Sequence, residues 1–283
     1  MSLLNVYRFI RFLSLDIVFG VVSGSILACK ILEINPPLLY QILLPLSVWI
    51  LYLIDHLIDG FRQAVRKSLS AYQSYYDNRR PLISLLVILI LVVLLLLIFL
   101  FNRTIFQFGV IIGIVVIGYF IFQHLRFKSK IKAFPKEPVI AIVYTLGIWG
   151  IPLLLSNKDF NPELYLCLFS FVLMVLMNVQ LYSIIQMDED VKSGYPSLAG
   201  RIGIYSVRRL NIIFGIIAGL FCIWIITRPL FTEFRNAGIV FLVMDVSLLI
   251  LSVISRFSDS KKMLGIIADA IFLMPCTILL FQG

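Results

Sequence analysis

Residues 82–101 read LISLLVILILVVLLLLIFLF. A helix needs about 20 consecutive apolar residues to cross the hydrocarbon core of a bilayer, and this run supplies them without a single charge. A membrane-spanning strand would be about ten residues long and would alternate apolar with polar side chains. The run does neither, so it predicts a transmembrane helix. Outward from it, similar stretches recur along the chain, and nine spans are expected at roughly 10–32, 37–58, 81–101, 105–124, 138–156, 163–187, 207–227, 236–254 and 263–281. Only Asn102-Arg103-Thr104 separates the third from the fourth. Composition agrees. Of 283 residues 61% are hydrophobic and 14% charged, with a mean hydropathy of +1.03, whereas a soluble domain is roughly 45–50% apolar and about 25% charged. The expected fold is all-α: a polytopic bundle of about nine transmembrane helices around a central cavity, forming one domain over 1–283. Its cytoplasmic loops are expected at 59–80, 125–137, 188–206 and 255–262.

The formal charge of +9 comes from 24 Lys+Arg against 15 Asp+Glu. In a soluble chain that excess would raise nucleic acid as a partner. Here nineteen of the cations fall in the N-terminal arm and the even-to-odd loops, and five (Lys30, Arg103, Lys158, Arg228 and Arg235) on the other side. Such asymmetry places the basic side in the cytoplasm, so the N-terminus is expected there. The partner is the bilayer rather than nucleic acid, and in a bacterium the membrane would be the cytoplasmic one. Oligomeric state is not legible. The opening MSLLNVYRFIRFLSLDIVFG lacks a small-residue cleavage site and reads as a retained first span. Cys29, Cys167, Cys222 and Cys276 sit in apolar runs without CxxC spacing and read as small buried hydrophobes. The longest polar stretch, GFRQAVRKSLSAYQSYYDNRRP (60–81), reads as a basic amphipathic helix on the inner leaflet.

Polar residues inside spans are where function concentrates. Span two ends with Tyr52, Asp55, His56 and Asp59, followed by Arg62. Asp55 and Asp59 are four apart and share a helix face, with Tyr52 one turn earlier. Like charges at that spacing repel, and the C-terminal end of a helix disfavours anions. A compensating partner is therefore expected: a local pair with Arg62, a solvated helix end, or a divalent metal held through one or two carboxylates and the oxygens of a phosphate. His56 lies about 100° around the helix from Asp55. Span six ends in a second cluster, Met187-Asp188-Glu189-Asp190 with Lys192 beyond it. Asn178, Tyr182, Gln186 and Asp190 follow at four-residue steps, a polar stripe on one face. The plain alternatives are interhelical hydrogen bonds for Asn178 and Gln186 and a solvated loop for Glu189. Both clusters lie on the basic side, where they outline one cavity. Asp16, Asp245 and Asp269, within spans one, eight and nine, read as helix caps or as paired with Arg11, Lys30 or neighbouring helices. In a transporter they would be pathway residues, but no broken-helix pair or inverted repeat is visible. Trp49, Trp149 and Trp224 fit interface or core positions, and His124 marks the inner end of span four.

The two clusters resemble those of the UbiA superfamily of intramembrane prenyltransferases. The family's first motif, N-x-x-x-D-x-x-x-D, is similar to LYLIDHLID from Leu51 to Asp59, which keeps both aspartates and has Leu51 for Asn. The second, D-x-x-x-D-x-x-x-G-x-x-[ST]-L-A-x-x-x-G, resembles QMDEDVKSGYPSLAGRIG from Gln186 to Gly203. Asp190, Gly194, Ser197, Leu198, Ala199 and Gly203 match; Gln186 replaces the leading Asp, and Asp188 is the nearest substitute. Arg80-Pro81-Leu82 looks like the family's R-P-L at the start of span three. Lys136, before span five, lies where the family often places a basic residue. The resemblance implies Mg²⁺ held by Asp55, Asp59, Asp188 and Asp190, with the three motif aspartates Asp55, Asp59 and Asp190 essential for catalysis. It implies a polyprenyl diphosphate as donor, an aromatic or quinone-precursor acceptor, and Arg62, Arg80, Lys136 and Lys192 neutralising the diphosphate. Tyr52, Tyr144 and Tyr182 would line the chamber around the allylic cation, beside Asn178 and Gln186. With Leu51 and Gln186 at two ligand positions, several readings stay open: a prenyltransferase, a cyclase of the same family, an isoprenoid-binding protein without catalysis, and last a transporter.

Overall fold

The computed structural model describes residues 9–65, 73–99, 102–129, 137–158, 161–192, 197–228, 232–255 and 261–281; the side chains of 62–65, 122–129, 189, 190, 192, 261 and 262 fall outside the description. The described residues form helices and no strands. In chain order these are α1 (Leu15–Ile31), α2 (Leu38–Val65), α3 (Gln73–Asp77), α4 (Arg79–Phe99), α5 (Arg103–Ser129) and α6 (Glu137–Leu155). They continue as α7 (Pro162–Ile185), α8 (Met187–Lys192), α9 (Leu198–Ile202), α10 (Ile204–Thr227), α11 (Thr232–Ile254) and α12 (Lys261–Ile271), then a 3₁₀ stretch over Met274–Phe281. Eight segments among the described residues are long and apolar enough to cross a membrane, seven of them within α2, α4, α5, α6, α7, α10 and α11 and the eighth over Met263–Leu280. The architecture is that of an integral, multi-pass membrane protein.

Local chemistry sets the helix ends. Asn161 caps α7 by accepting the Leu164 amide at 2.8 Å, and Pro162 occupies the first turn, where a missing N–H costs nothing. The first and last expected spans are not continuous helices. A helical turn at 9–12 stops at Leu13-Ser14, with Ser14 at φ 57°, before α1 begins. Backbone groups freed by a break inside a membrane protein must find other partners. Trp49 Nε1 donates to the Leu13 carbonyl at 2.8 Å, and Asp16 Oδ1 accepts the Ile17 amide at 3.1 Å. The second interruption follows α12: the Leu273 carbonyl accepts from Ser23 Oγ at 2.8 Å, which in turn accepts the Cys276 amide at 2.7 Å.

Helices α7, α10 and α11 pack closely into a solid centre. Half of α7 and of α11 is buried, against 11% of α4 and 6% of the spanning part of α5. These last two are almost wholly lipid-facing, and each leans on one long neighbour, α4 on α2 and α5 on α6. The α5–α6 seam depends on Gly150, where a Cβ would overlap the Phe108 ring. Gly150→Ala should therefore destabilise the protein by about 1–3 kcal/mol, the usual cost of overpacking. A thermal unfolding curve in detergent checks this, and an unchanged midpoint would show that the seam yields.

The stretch expected as a surface helix over 60–81 behaves differently where it is described. Helix α2 continues to Val65 and residues 66–72 lie outside the description. The short α3 then tucks Tyr75 against the bundle, its ring stacked on Phe12 at 4.8 Å and on His56 at 4.7 Å. Burial pushes the Tyr75 hydroxyl up to about 12.

Candidate functional site

A cavity of about 620 Å³ lies beside the solid centre, between α2, α4, α5 and α6, with Val21 of α1 touching it. That volume is in the range of small-molecule sites. Among the described residues its wall is apolar apart from Ser47, four tyrosines and one carboxylate, Asp55. The polar groups are unevenly placed. Tyr52 and Asp55 of α2 mark one end, together with Tyr119 of α5; Tyr40 of α2 marks the far end, its hydroxyl tied to the Ile148 carbonyl at 2.8 Å. Along α2 these ends are about 22 Å apart at about 1.5 Å per residue.

Several residues expected at the site from sequence meet here. Tyr52, Asp55 and Tyr144 line the cavity, and so does Leu51, the residue standing where the resemblance expects Asn. Tyr52 is within electrostatic reach of Asp55, Asp16, Asp269 and Tyr119. Asp59 follows one turn beyond Asp55 and is half-buried. It does not line the cavity.

The polar stripe of α7 points elsewhere. Tyr182 and Asn178 do not line the cavity; they face the last span. The Tyr182 hydroxyl donates to Asp269 Oδ2, accepts from Arg11 Nη2 at 3.1 Å and lies 3.0 Å from the Gly265 carbonyl. Asn178 reaches the same Asp269 carboxylate. Arg11 also stands 3.5 Å from Asp269 and 3.7 Å from Asp16. Pairing of Asp16 and Asp269 with Arg11 is the arrangement their sequence positions suggested. The break at Leu13-Ser14 places Arg11 there, and Gly265 permits it, since a Cβ would sit 3.1 Å from both the Arg11 nitrogen and the Tyr182 oxygen.

The second acidic segment is fastened by residues that its motif does not contain. Glu137, at the start of α6 and 1% exposed, accepts the Leu198 amide at 2.8 Å. Ser183 Oγ accepts the Ala199 amide at 2.7 Å. Both amides belong to the largely buried first turn of α9, where unpaired N–H groups need acceptors. Gly203 follows at φ 84°, a conformation that suits glycine. The Ser-Leu-Ala-x-x-x-Gly half of the motif thus builds a turn pinned to α6 and α7. Nothing in the sequence marked Glu137 or Ser183 for this work, because their partners are backbone amides.

Gln186 ends α7, its amide donating to the Tyr182 carbonyl at 2.9 Å. Asp188 and Arg80 are exposed. The side chains of Arg62, Asp190 and Lys192, and all of Lys136, lie outside the described residues. Among the described residues no three His, Cys, Asp or Glu side chains gather as a metal site would need. What the described end of α2 offers a cation is the oxygen pair Asp55 and Asp59, a donor chemistry suited to a hard ion that keeps phosphate or water oxygens for its remaining positions. No protein-family model matches the chain, and neither does any curated protein or solved structure.

Proposed function

We propose that this chain is an Mg²⁺-dependent intramembrane prenyltransferase of the UbiA type, moving a polyprenyl group from its diphosphate to an aromatic or quinone-precursor acceptor. One observation carries the reading: a deep apolar chamber in which Asp55, the single lining carboxylate among the described residues, stands at one end within the expected first motif. An isoprenoid chain matches the apolar wall, and a diphosphate with its cation matches the end at Asp55. Mg²⁺ would be held by Asp55 and Asp59, with Asp188 and Asp190 as the second acidic group. It supplies charge neutralisation for the departing diphosphate. The chain's own residues do the rest. The apolar wall excludes water from an allylic cation, and Tyr52 and Tyr144 bring aromatic rings to the same chamber, where a cation is attracted to a ring face. With the basic side in the cytoplasm, the acidic end of the chamber faces the cytosol.

Leu51 favours a second reading, isoprenoid binding without transfer, because it places a methyl-bearing wall where a ligand oxygen is expected. A transporter gains support from the two interrupted spans and from Asp245, which is 1% exposed and keeps one carboxylate oxygen without a hydrogen-bond partner, yet the freed groups described there and the acids Asp16 and Asp269 already have partners within the chain. The test is diphosphate release by purified protein with Mg²⁺, allylic polyprenyl diphosphates and typical aromatic acceptors. Release that needs both metal and acceptor is expected. Release without acceptor would convert the reading to a cyclase, and tight donor binding with no release would convert it to a binding protein.

A further inference from the structure

Asp245 takes no part in the chamber, whose wall it does not line. It sits near the middle of the 23-residue α11, 1% exposed, within the solid centre that α11 forms with α7 and α10. A charge at that depth in a bilayer is expensive and is normally found with a partner. Among the described residues Asp245 makes no ion pair, and its Oδ1 accepts no hydrogen bond. A second oxygen close by is in the same position. Ser170 Oγ of α7, at 0% exposure, is also without a hydrogen-bond partner. The Cys222 thiol of α10 neighbours both residues, but a thiol is a weak donor and carries no positive charge. One turn before it, Gly219 leaves room at the carboxylate. Among the described residues, the one atom listed against a Cβ built there is Asp245 Oδ2, at 3.1 Å.

We propose that Asp245 and Ser170 hold a monovalent alkali cation where α7, α10 and α11 meet, with Gly219 giving the ion its room. Carboxylate and hydroxyl oxygens are hard donors, suited to a hard cation that completes its shell with water or carbonyl oxygens. A single carboxylate balances a single positive charge. A divalent ion would leave net charge in the bilayer, and among the described residues no second acid joins Asp245 in a metal-holding group. A buried water would bond both orphaned oxygens yet leave the charge. A proton on Asp245 would cancel the charge yet leave Ser170 unpaired. A cation answers both needs. It fastens the three helices that carry the core, so its role is structural and independent of the transfer chemistry proposed for the chamber.

The experiment is thermal unfolding of the full-length protein in Mg²⁺-free nanodiscs, with NaCl replacing N-methyl-D-glucamine chloride at constant ionic strength and pH. The midpoint should rise saturably with Na⁺, by about 2–4 °C at ten times the dissociation constant. Asp245→Asn should abolish the rise and, without Na⁺, unfold no lower than the native protein, since it removes an uncompensated charge. Ser170→Ala and Gly219→Ala, the latter placing a methyl group 3.1 Å from Oδ2, should each shift the titration to about tenfold higher Na⁺. Ser247→Ala is the control on the same helix, because its hydroxyl already bonds the Val243 carbonyl at 2.7 Å; its titration should match the native one. Asp55→Ala should also keep the rise, and its loss there would move the ion to the chamber and overturn the site. A midpoint indifferent to Na⁺, a rise that survives Asp245→Asn, or a midpoint that follows pH in place of Na⁺ overturns it as well. None of these results bears on diphosphate release, so the reading of the chamber stands or falls separately.

Discussion

Asp55→Ala should reduce Mg²⁺-dependent diphosphate release at least about a hundredfold without lowering the unfolding temperature. The size follows from what the residue would do. Removing one preorganised group that stabilises developing charge in a water-poor site costs about 10²–10³ in rate, and Asp55 is the one carboxylate lining the chamber among the described residues. The stability half of the prediction is the sharper one. Asp55 stands one turn from a second carboxylate on the same helix face, and like charges at that spacing repel. Alanine relieves that repulsion and is a better helix former. Thermal unfolding should therefore be unchanged or slightly raised. Paired measurements of release and melting decide it: a dead but destabilised variant would mean that Asp55 holds the fold, and an active one would remove it from the site.

Arg11→Ala should be the most destabilising single change in the polar network. It leaves two carboxylates, Asp16 and Asp269, with side chains 15% and 9% exposed, without their guanidinium. Stripping one partner from a buried ion pair costs about 3–5 kcal/mol. Arg11 is itself a third exposed, and solvent screening moves the expectation toward the lower figure. Because the effect arises from stranded charge, Asp269→Asn in the Arg11→Ala background should restore part of the loss, whereas independent sites would simply add. Unfolding in detergent of the two single variants and the double variant closes the cycle. Strict additivity would show that the pairing contributes nothing.

How much of this was legible in the chain depends on what each residue interacts with. Apolar runs such as 82–101 report their own environment, so spans were readable one by one. The interruption at Leu13-Ser14 was not, since it carries neither proline nor a glycine cluster, whereas the one after α12 has Pro275 within it, a breaker set inside an otherwise apolar run; Trp49 and Ser23, distant in sequence, make both tolerable by satisfying the freed backbone. Spacing correctly grouped Tyr52 with Asp55, because residues on one helix share a face by geometry alone. It grouped Asn178 with Tyr182 for the same reason but could not say which neighbour that face meets. The neighbour turned out to be Asp269 and Arg11 rather than the chamber. The structural work of Glu137 on the Leu198 amide has no side-chain signature at all.

The bareness of α4 and α5 has a consequence for where the site's walls come from. Two of the four helices enclosing the chamber are secured mostly by the solvent around them, which is lipid, and only secondarily by protein. The enclosed volume is then a property of the molecule together with its bilayer. Thicker or more ordered membranes should draw the pair against α2 and α6, thinner or looser ones should let it splay, and transfer into detergent should loosen this wall before any other part. Membrane composition would tune the chamber as an effector does, with no binding pocket of its own.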